Sequence, residues 1–307
     1  MAVQSPALRR GDTVGIVTLG SPLDAGVIRE RIRYLEGMGF RVVVGRHVFD
    51  QNGFLAGSEE GRAADLMAMF ADPNVRLILP SRGGVGVEGI LPYLDFGVIR
   101  SRPKLISGYS DITVLLNAIS QFSGLVTLHS LMLIDFKPET PAYNFNQFFA
   151  AASSSDVPRS IANPPEMAPM RGRVPGNAFG PLAGGNLTSL VGTLGTPYEI
   201  DTRGKVLLLE ETHEPINTVY RYLEQMKLAG KFDGVAGIVM GECTNCADAY
   251  GKSYEDLIED FMVPLGKPLV TGIASGHGTY KAALPIGAFA NLDASSGSLV
   301  LMEPAVG

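Results

Sequence analysis

The chain has 307 residues, of which 46% are hydrophobic and 18% are charged, and its net charge is −6 at neutral pH. This length predicts about two domains with a buried core. The acidic balance argues against a nucleic-acid-binding protein, because such proteins carry basic patches. The N-terminus lacks an apolar signal segment, and no run of about 18 apolar residues predicts a membrane span. We therefore predict a cytoplasmic protein without a membrane or nucleic-acid partner.

The first half of the chain predicts strands that alternate with helices. The strands are predicted at 12–24 (with its following loop), 40–48, 75–81 and 103–108, and the helices at 25–39, 57–72, 87–95 and 111–124. In the second helix, Ser58 is a candidate N-cap, and Ala63, Met67 and Phe70 form the predicted inward face. Strands alternating with helices predict an α/β fold with a parallel sheet covered by helices on both faces.

The pattern changes after residue 135. Residues 136–180 are rich in Pro, Ser and Asn with little periodicity, which predicts a linker or excursion between two domains, 1–135 and 181–307. Further strands are predicted at 204–212, 234–244, 268–275 and 297–303, with a helix at 217–230. The second domain is therefore predicted to be a smaller, β-rich α/β domain.

The two cysteines, Cys243 and Cys246, form a single C-x-x-C pair. This number is too small for a disulfide framework, and a zinc site would need further Cys or His ligands nearby. A redox role is one interpretation, but the pattern favours two small buried thiols. We predict no metal and no cofactor.

Ser110 lies in "GYSD", where a predicted strand meets a predicted helix. Such a serine is most often an N-cap that accepts a hydrogen bond from the next turn. The alternative is a nucleophile at a tight elbow, where the following amide stabilises an oxyanion and the helix N-terminus favours negative charge. The usual elbow reads G-x-S-x-G, and its last glycine is missing here. The residues alone therefore favour the cap.

A glycine-rich stretch, "SRGGVGVEG" at 81–89, directly follows a predicted strand. It contains the G-x-G-x-x-G pattern of dinucleotide sites, but the acidic residue that should end the next strand is missing, apart from Asp111 at the helix joint. A turn that exposes backbone N–H groups to an anion or an oxyanion is the favoured interpretation.

His277 and Glu210 each have two interpretations. His277 lies between two glycines at the end of an apolar strand, either as a solvated loop residue or as a general base. Glu210 ends the run "KVLLLEE", either as a solvated strand end or as the carboxylate that orients a histidine. His47 and His129 are interpreted as structural or surface residues, and His213 lies in a polar loop.

Several segments, taken together and in this order, resemble the LD-carboxypeptidases, whose relatives include the microcin-immunity serine peptidases. The segments are "LRRGDTVGIVTLGSP", "FLAGSEEGRAADLMAMFADPNV", "SRGGVG", "PKLISGYSDIT", "LAGGNLTSLVGTLGTP", "VLLLEETHEP", "SGHG" and "LPIGAFANLD". The resemblance implies an N-terminal Rossmann-like domain and a smaller C-terminal β-rich domain that meet at the active site. It also implies a homodimer.

The resemblance further implies a Ser-Glu-His triad, with Ser110 as nucleophile, His277 as base and Glu210 as the residue that orients the base. The oxyanion would then be met by the amide of Asp111 and by one amide of the turn formed by Gly83 and Gly84. These roles together describe an acyl-enzyme mechanism.

The implied reaction is the removal of the terminal D-alanine from a murein tetrapeptide. Arg82 is a candidate ligand of the substrate carboxylate, and a salt-bridged scaffold role is an equal alternative. Val85 stands where the family usually has Tyr, and Ser130 follows His129 where the family commonly has Gly, which leaves the substrate open.

Two other hypotheses are kept. A microcin-immunity-like hydrolase would act on an aminoacyl-nucleotide conjugate, and the lack of Trp argues against it, because aromatic stacking, including Trp, is part of nucleobase recognition in those enzymes. A non-catalytic nucleotide- or anion-binding protein would use 83–89.

Overall fold

The computed structural model describes residues 2–307, and the chain forms two compact units. The first unit runs to Ser155 and also contains Ala283–Gly287 and Pro304–Gly307. The second unit consists of Asp156–Ala282 and Ala288–Glu303. Two short C-terminal segments therefore belong to the first unit. The predicted domains, each a continuous stretch of sequence, do not include this return of the chain.

The first unit contains a six-stranded sheet in the order β12-β5-β4-β3-β1-β2. Its strands are β1 (Thr13–Val17), β2 (Arg41–Val44), β3 (Val75–Pro80), β4 (Leu105–Gly108), β5 (Thr127–His129) and β12 (Leu284–Ile286). Its helices are α1 (Ala25–Gly37), α2 (Glu59–Ala71), α3 (Phe96–Ser101), α4 (Ile112–Ser123) and α5 (Ala142–Ser153). All strand pairs are parallel except β12 with β5. The predicted parallel α/β sheet is confirmed.

For helix α2, the sequence predicts the N-cap correctly and the buried face only in part. Ser58 caps the helix, accepting a hydrogen bond from the Gly61 N–H at 3.1 Å. Phe70 is buried as predicted, but Met67 is only half-buried. The buried face instead includes a charged residue, Arg62, because its guanidinium donates to backbone carbonyls inside the unit.

The second unit contains an eight-stranded sheet in the order β6-β14-β13-β8-β9-β10-β11-β7. Its strands are β6 (Arg159–Ile161), β7 (Arg171–Val174), β8 (Asn177–Asn186), β9 (Val206–Thr212), β10 (Gly237–Thr244), β11 (Leu269–Thr271), β13 (Phe289–Asp293) and β14 (Ser298–Leu301). Its helices are α6 (Leu187–Gly192), α7 (Ile216–Leu228) and α8 (Tyr254–Leu257). The four strands β8 to β11 are parallel neighbours, so their carboxyl ends share one edge of the sheet.

The stretch 136–180, predicted as a linker or excursion, contains helix α5, strands β6 and β7 and the start of β8. Its core contacts come from separated aromatic residues: Phe148 is fully buried and packs edge-on against Phe136, with ring centroids 5.5 Å apart. The strands here are three or four residues long and lie at or near the sheet edges, so they leave little periodicity to detect.

The expectation of two separate thiols is wrong, because Cys243 and Cys246 form a disulfide. The chain turns back directly after Cys243, with Asn245 at φ 56°, and this brings the two Cα atoms within 5.5 Å. Within residues 2–307, no helix combines the length and apolar character needed to cross a membrane.

Candidate active site

Ser110 lies between β4 and α4 and has a φ of 60°, a left-handed conformation that residues other than glycine rarely adopt. Helix α4 begins at Ile112, and its N-cap residue is Asp111, which makes no side-chain cap bond. Ser110 takes part in the first turn only through its carbonyl, which accepts the Thr113 N–H at 2.9 Å. The helix therefore does not use the Ser110 side chain as its cap, and the strained joint resembles a nucleophile elbow.

The glycine turn after β3 packs directly against this elbow. A Cβ on Gly83 would lie 2.7 Å from the Ser110 Cβ and 3.1 Å from the Asp111 nitrogen, so only glycine permits this approach. The Gly83 carbonyl accepts the Ser21 N–H at 3.0 Å. Because the peptide group is trans, the N–H of Gly84 points to the side opposite Ser21.

The remaining candidate site residues that the sequence singles out in the first unit lie in this turn or next to it. Asp111 is buried, and its Oδ2 accepts the Val87 N–H at 2.9 Å. Arg82 is half-buried, and Val85 is 49% exposed at the tip of the turn. His129, in contrast, is the last residue of strand β5 and is buried, so it is not a surface residue.

In the second unit the structure brings Glu210 and His277 together. Glu210 lies near the carboxyl end of β9 and is only 1% exposed. The interpretation of Glu210 as a solvated strand end is therefore wrong. The Glu210 Oε2 lies 2.9 Å from the His277 Nδ1. A carboxylate in this position accepts a hydrogen bond from Nδ1–H and leaves Nε2 as a proton acceptor. The His277 side chain is 18% exposed, which keeps it accessible to a reacting group.

The two glycines beside His277 pack against two carboxylates. A Cβ on Gly276 would lie 2.2 Å from Glu210 Oε2, and a Cβ on Gly278 would lie 1.6 Å from Glu242 Oε2. The backbone of the histidine loop therefore passes between Glu210 and Glu242, and glycine is required on both sides. This packing is the physical reason for the G-H-G pattern.

Two further carboxylates, the half-buried Glu242 and the buried Glu211, lie near Glu210, although no motif in the sequence singles them out. Burial raises the pKa of the Glu242 carboxyl, the positive charge of Lys281 lowers it, and the negative charge of Glu210 raises it. Burial also raises the pKa of the Glu211 carboxyl, which accepts hydrogen bonds from the backbone and the hydroxyl of Thr188 at 2.9 and 2.7 Å. The available clue was their position at the ends of apolar strands, where an unpaired carboxylate is costly.

For a site that uses His277 as its base, replacing Gly276 with alanine is expected to lower kcat about 100-fold, because a displacement near 1 Å in a catalytic group has an effect of this size. The added methyl group would collide with the Glu210 carboxylate and displace either that group or the His277 loop. Gly272→Ala is the matched control. Gly272 also has a positive φ, 81°, but a methyl group added there would meet no atom of residues 2–307 within 4 Å beyond its chain neighbours. Steady-state kinetics and thermal unfolding of both variants check this expectation, and equal activities would contradict it.

Residues 14–130 match the family model of the LD-carboxypeptidase N-terminal domain, and residues 179–292 match that of the LD-carboxypeptidase C-terminal domain. A probable murein peptide carboxypeptidase of Bacillus subtilis is 38% identical over 304 residues, which cover 96% of this chain and 93% of that protein.

Two solved structures extend the comparison. The muramoyltetrapeptide carboxypeptidase of Oxalobacter formigenes has a TM-score of 0.84 and 25% identity, covering 96% of this chain and 99% of the other. MccF in complex with glutamyl sulfamoyl guanosine has a TM-score of 0.91 at 23% identity, covering 99% of each chain. At that identity the second likeness shows the shared fold alone.

Proposed function

The chain belongs to the LD-carboxypeptidase family, and we propose that it is a serine carboxypeptidase that releases the terminal D-alanine from murein tetrapeptides. The observation that carries this proposal is the 2.9 Å contact between buried Glu210 and His277 Nδ1. It supplies an oriented base, and the strained elbow at Ser110 supplies a nucleophile. Names of the relatives support the murein substrate.

In the proposed mechanism, His277 Nε2 removes the hydroxyl proton of Ser110 while Oγ attacks the carbonyl carbon of the L-to-D peptide bond. The carbonyl oxygen becomes an oxyanion, and the imidazolium is stabilised by Glu210. Collapse of this intermediate breaks the C–N bond, and His277 gives the proton to the departing amine of D-alanine. Water, deprotonated by the same imidazole, then hydrolyses the acyl-enzyme and restores Ser110.

We assign the oxyanion donors to the N–H groups of Asp111 and Gly84. Asp111 directly follows the nucleophile, and Gly84 N–H points away from Ser21 because Gly83 O is bonded on that side. Two backbone donors of this kind stabilise developing charge in a transition state. Arg82, half-buried beside the turn, is the proposed ligand of the substrate carboxylate.

A direct comparison of substrates tests the proposal. Purified protein is incubated with murein tetrapeptide and, separately, with an aminoacyl-adenylate analogue, and products are identified by mass spectrometry. Release of D-alanine from the tetrapeptide is the expected result, and it should be absent in Ser110→Ala. Cleavage of the adenylate analogue alone would instead favour a microcin-immunity-like hydrolase. Nucleotide retention without any cleavage would favour a binding protein. Light scattering on the same sample tests the proposed homodimer.

A further inference from the structure

Arg62 is a buried cation that the mechanism above does not use. It lies in helix α2 and is only 1% exposed, although arginine is rarely buried without a specific partner. Its guanidinium donates to backbone carbonyls in three different segments. Nη1 donates to Leu19 O in the loop after β1 and to Gly86 O in the glycine turn at 2.8 Å, and Nε donates to Ser58 O at 3.3 Å.

The bond from Arg62 to Gly86 O holds one side of the peptide group that joins Gly86 to Val87. The carbonyl of this group accepts from Arg62, and its N–H donates to Asp111 Oδ2 at 2.9 Å. Asp111 directly follows the proposed nucleophile. A single peptide group of the glycine turn is therefore held between a buried guanidinium and the elbow itself, which restrains its rotation in both directions.

The bond to Leu19 restrains the same turn from its other end. Leu19 is followed by Gly20 and Ser21, and the Ser21 N–H donates to Gly83 O at 3.0 Å. A Cβ on Gly20 would lie 2.6 Å from that same oxygen, so the loop after β1 is in close contact with the turn. Arg62 thus bonds to the loop that contacts Gly83 O and also to Gly86, two residues after Gly84. The peptide group that joins Gly83 and Gly84 lies between these two points of attachment.

We propose that Arg62 is a positioning residue that fixes the Gly83–Gly84 peptide group against the elbow, so that the Gly84 N–H is aimed at the oxyanion. This inference rests on the proposed function. A donor that is aimed at charge developing only in the transition state affects kcat more than KM. Loss of Arg62 should therefore slow acylation while substrate binding changes little.

Arg62→Met tests this inference, with Lys104→Met as the matched control. Lys104 is also a buried cation of the first unit, and its Nζ donates to the backbone carbonyls of Asp72 and Val75. These bonds lie where β3 begins, whereas the glycine turn follows the other end of that strand. Both variants remove a buried cation that is bonded to carbonyls, but only one removes a contact with the turn.

The readouts are the rate of Ser110 labelling by a fluorophosphonate, measured by mass spectrometry, with kcat, KM and thermal unfolding. We expect Arg62→Met to label about 100-fold more slowly, the size of effect seen when one oxyanion donor is lost. In Lys104→Met, Ser110 should be labelled at the wild-type rate even if the unfolding temperature of this variant falls. Arg62→Lys should be intermediate, because an ammonium keeps the charge but not the planar set of donors.

Wild-type labelling rates in a folded Arg62→Met protein would overturn the inference, and so would an equal slowing in Lys104→Met. If Arg62→Met does not fold, the same comparison is made with Arg62→Lys, and a wild-type rate there would also overturn it. Failure of the wild-type protein to react at Ser110 is a different result, because it would refute the nucleophile assignment in the proposed function.

Discussion

Replacing Ser110 with alanine is expected to abolish hydrolysis, with kcat falling by about 10⁴ to 10⁶. The variant keeps the Cβ and therefore the packing against Gly83, and it loses only the oxygen that is proposed to form the acyl-enzyme. The positive φ of this residue, 60°, is about as unfavourable for alanine as for serine, so the fold should persist. Product release followed by mass spectrometry, together with thermal unfolding, measures both expectations.

Ser123→Ala is the matched control for this experiment. Ser123 lies at the other end of α4, is buried, and donates its hydroxyl to Ile119 O at 2.6 Å. Its loss removes this hydrogen bond and the one that Ser123 Oγ accepts from the Leu125 N–H, which affects stability, but kcat should stay close to that of the wild-type protein. A Ser110→Ala protein with more than about a tenth of the wild-type kcat would contradict the nucleophile assignment.

Replacing Glu210 with glutamine is expected to lower kcat by about 10⁴ with a much smaller change in KM, as in triads whose aspartate becomes asparagine. Glutamine has nearly the same shape, but it has no negative charge to stabilise the imidazolium. Its amide group can also favour the wrong tautomer of His277. The kinetic constants and the unfolding temperature of the purified variant separate this chemical effect from a loss of folding.

Glu211→Gln is the matched control, because Glu211 is the next residue, is also buried, and bonds to Thr188. Its substitution should alter stability, since glutamine cannot accept all the same hydrogen bonds, while most of kcat remains. If both variants lose activity to the same extent, Glu210 has no special role in orienting His277.

Much of the first unit was predictable because its elements are defined by neighbouring residues. The run at 103–108 and the helix after it were placed within two residues of β4 and α4, since an apolar strand and a helical apolar face leave different periods in the sequence. Ser58 was recognised as a cap for the same local reason. The stretch 136–180 was not predictable in this way, because α5 and the short strands after it depend on packing partners elsewhere.

Membership of the LD-carboxypeptidase family could be recognised from short motifs in a fixed order, and both domain models confirm it. The individual residues were ambiguous without that resemblance. Ser110 looked more like a helix cap, and only its backbone conformation, with Asp111 in the cap position, removed that interpretation.

The sequence by itself determined most of the local elements of the first unit, the α/β class and the residue types available for chemistry. Only the tertiary structure decided which of these groups meet. Glu210 reaches His277 because parallel strands place their carboxyl ends at one edge of a sheet, however far apart they lie in the chain. The approach of Glu242 to the histidine loop and the long-range bonds of Arg62 follow from the same kind of packing. Such contacts join segments distant in sequence, so no local pattern records them.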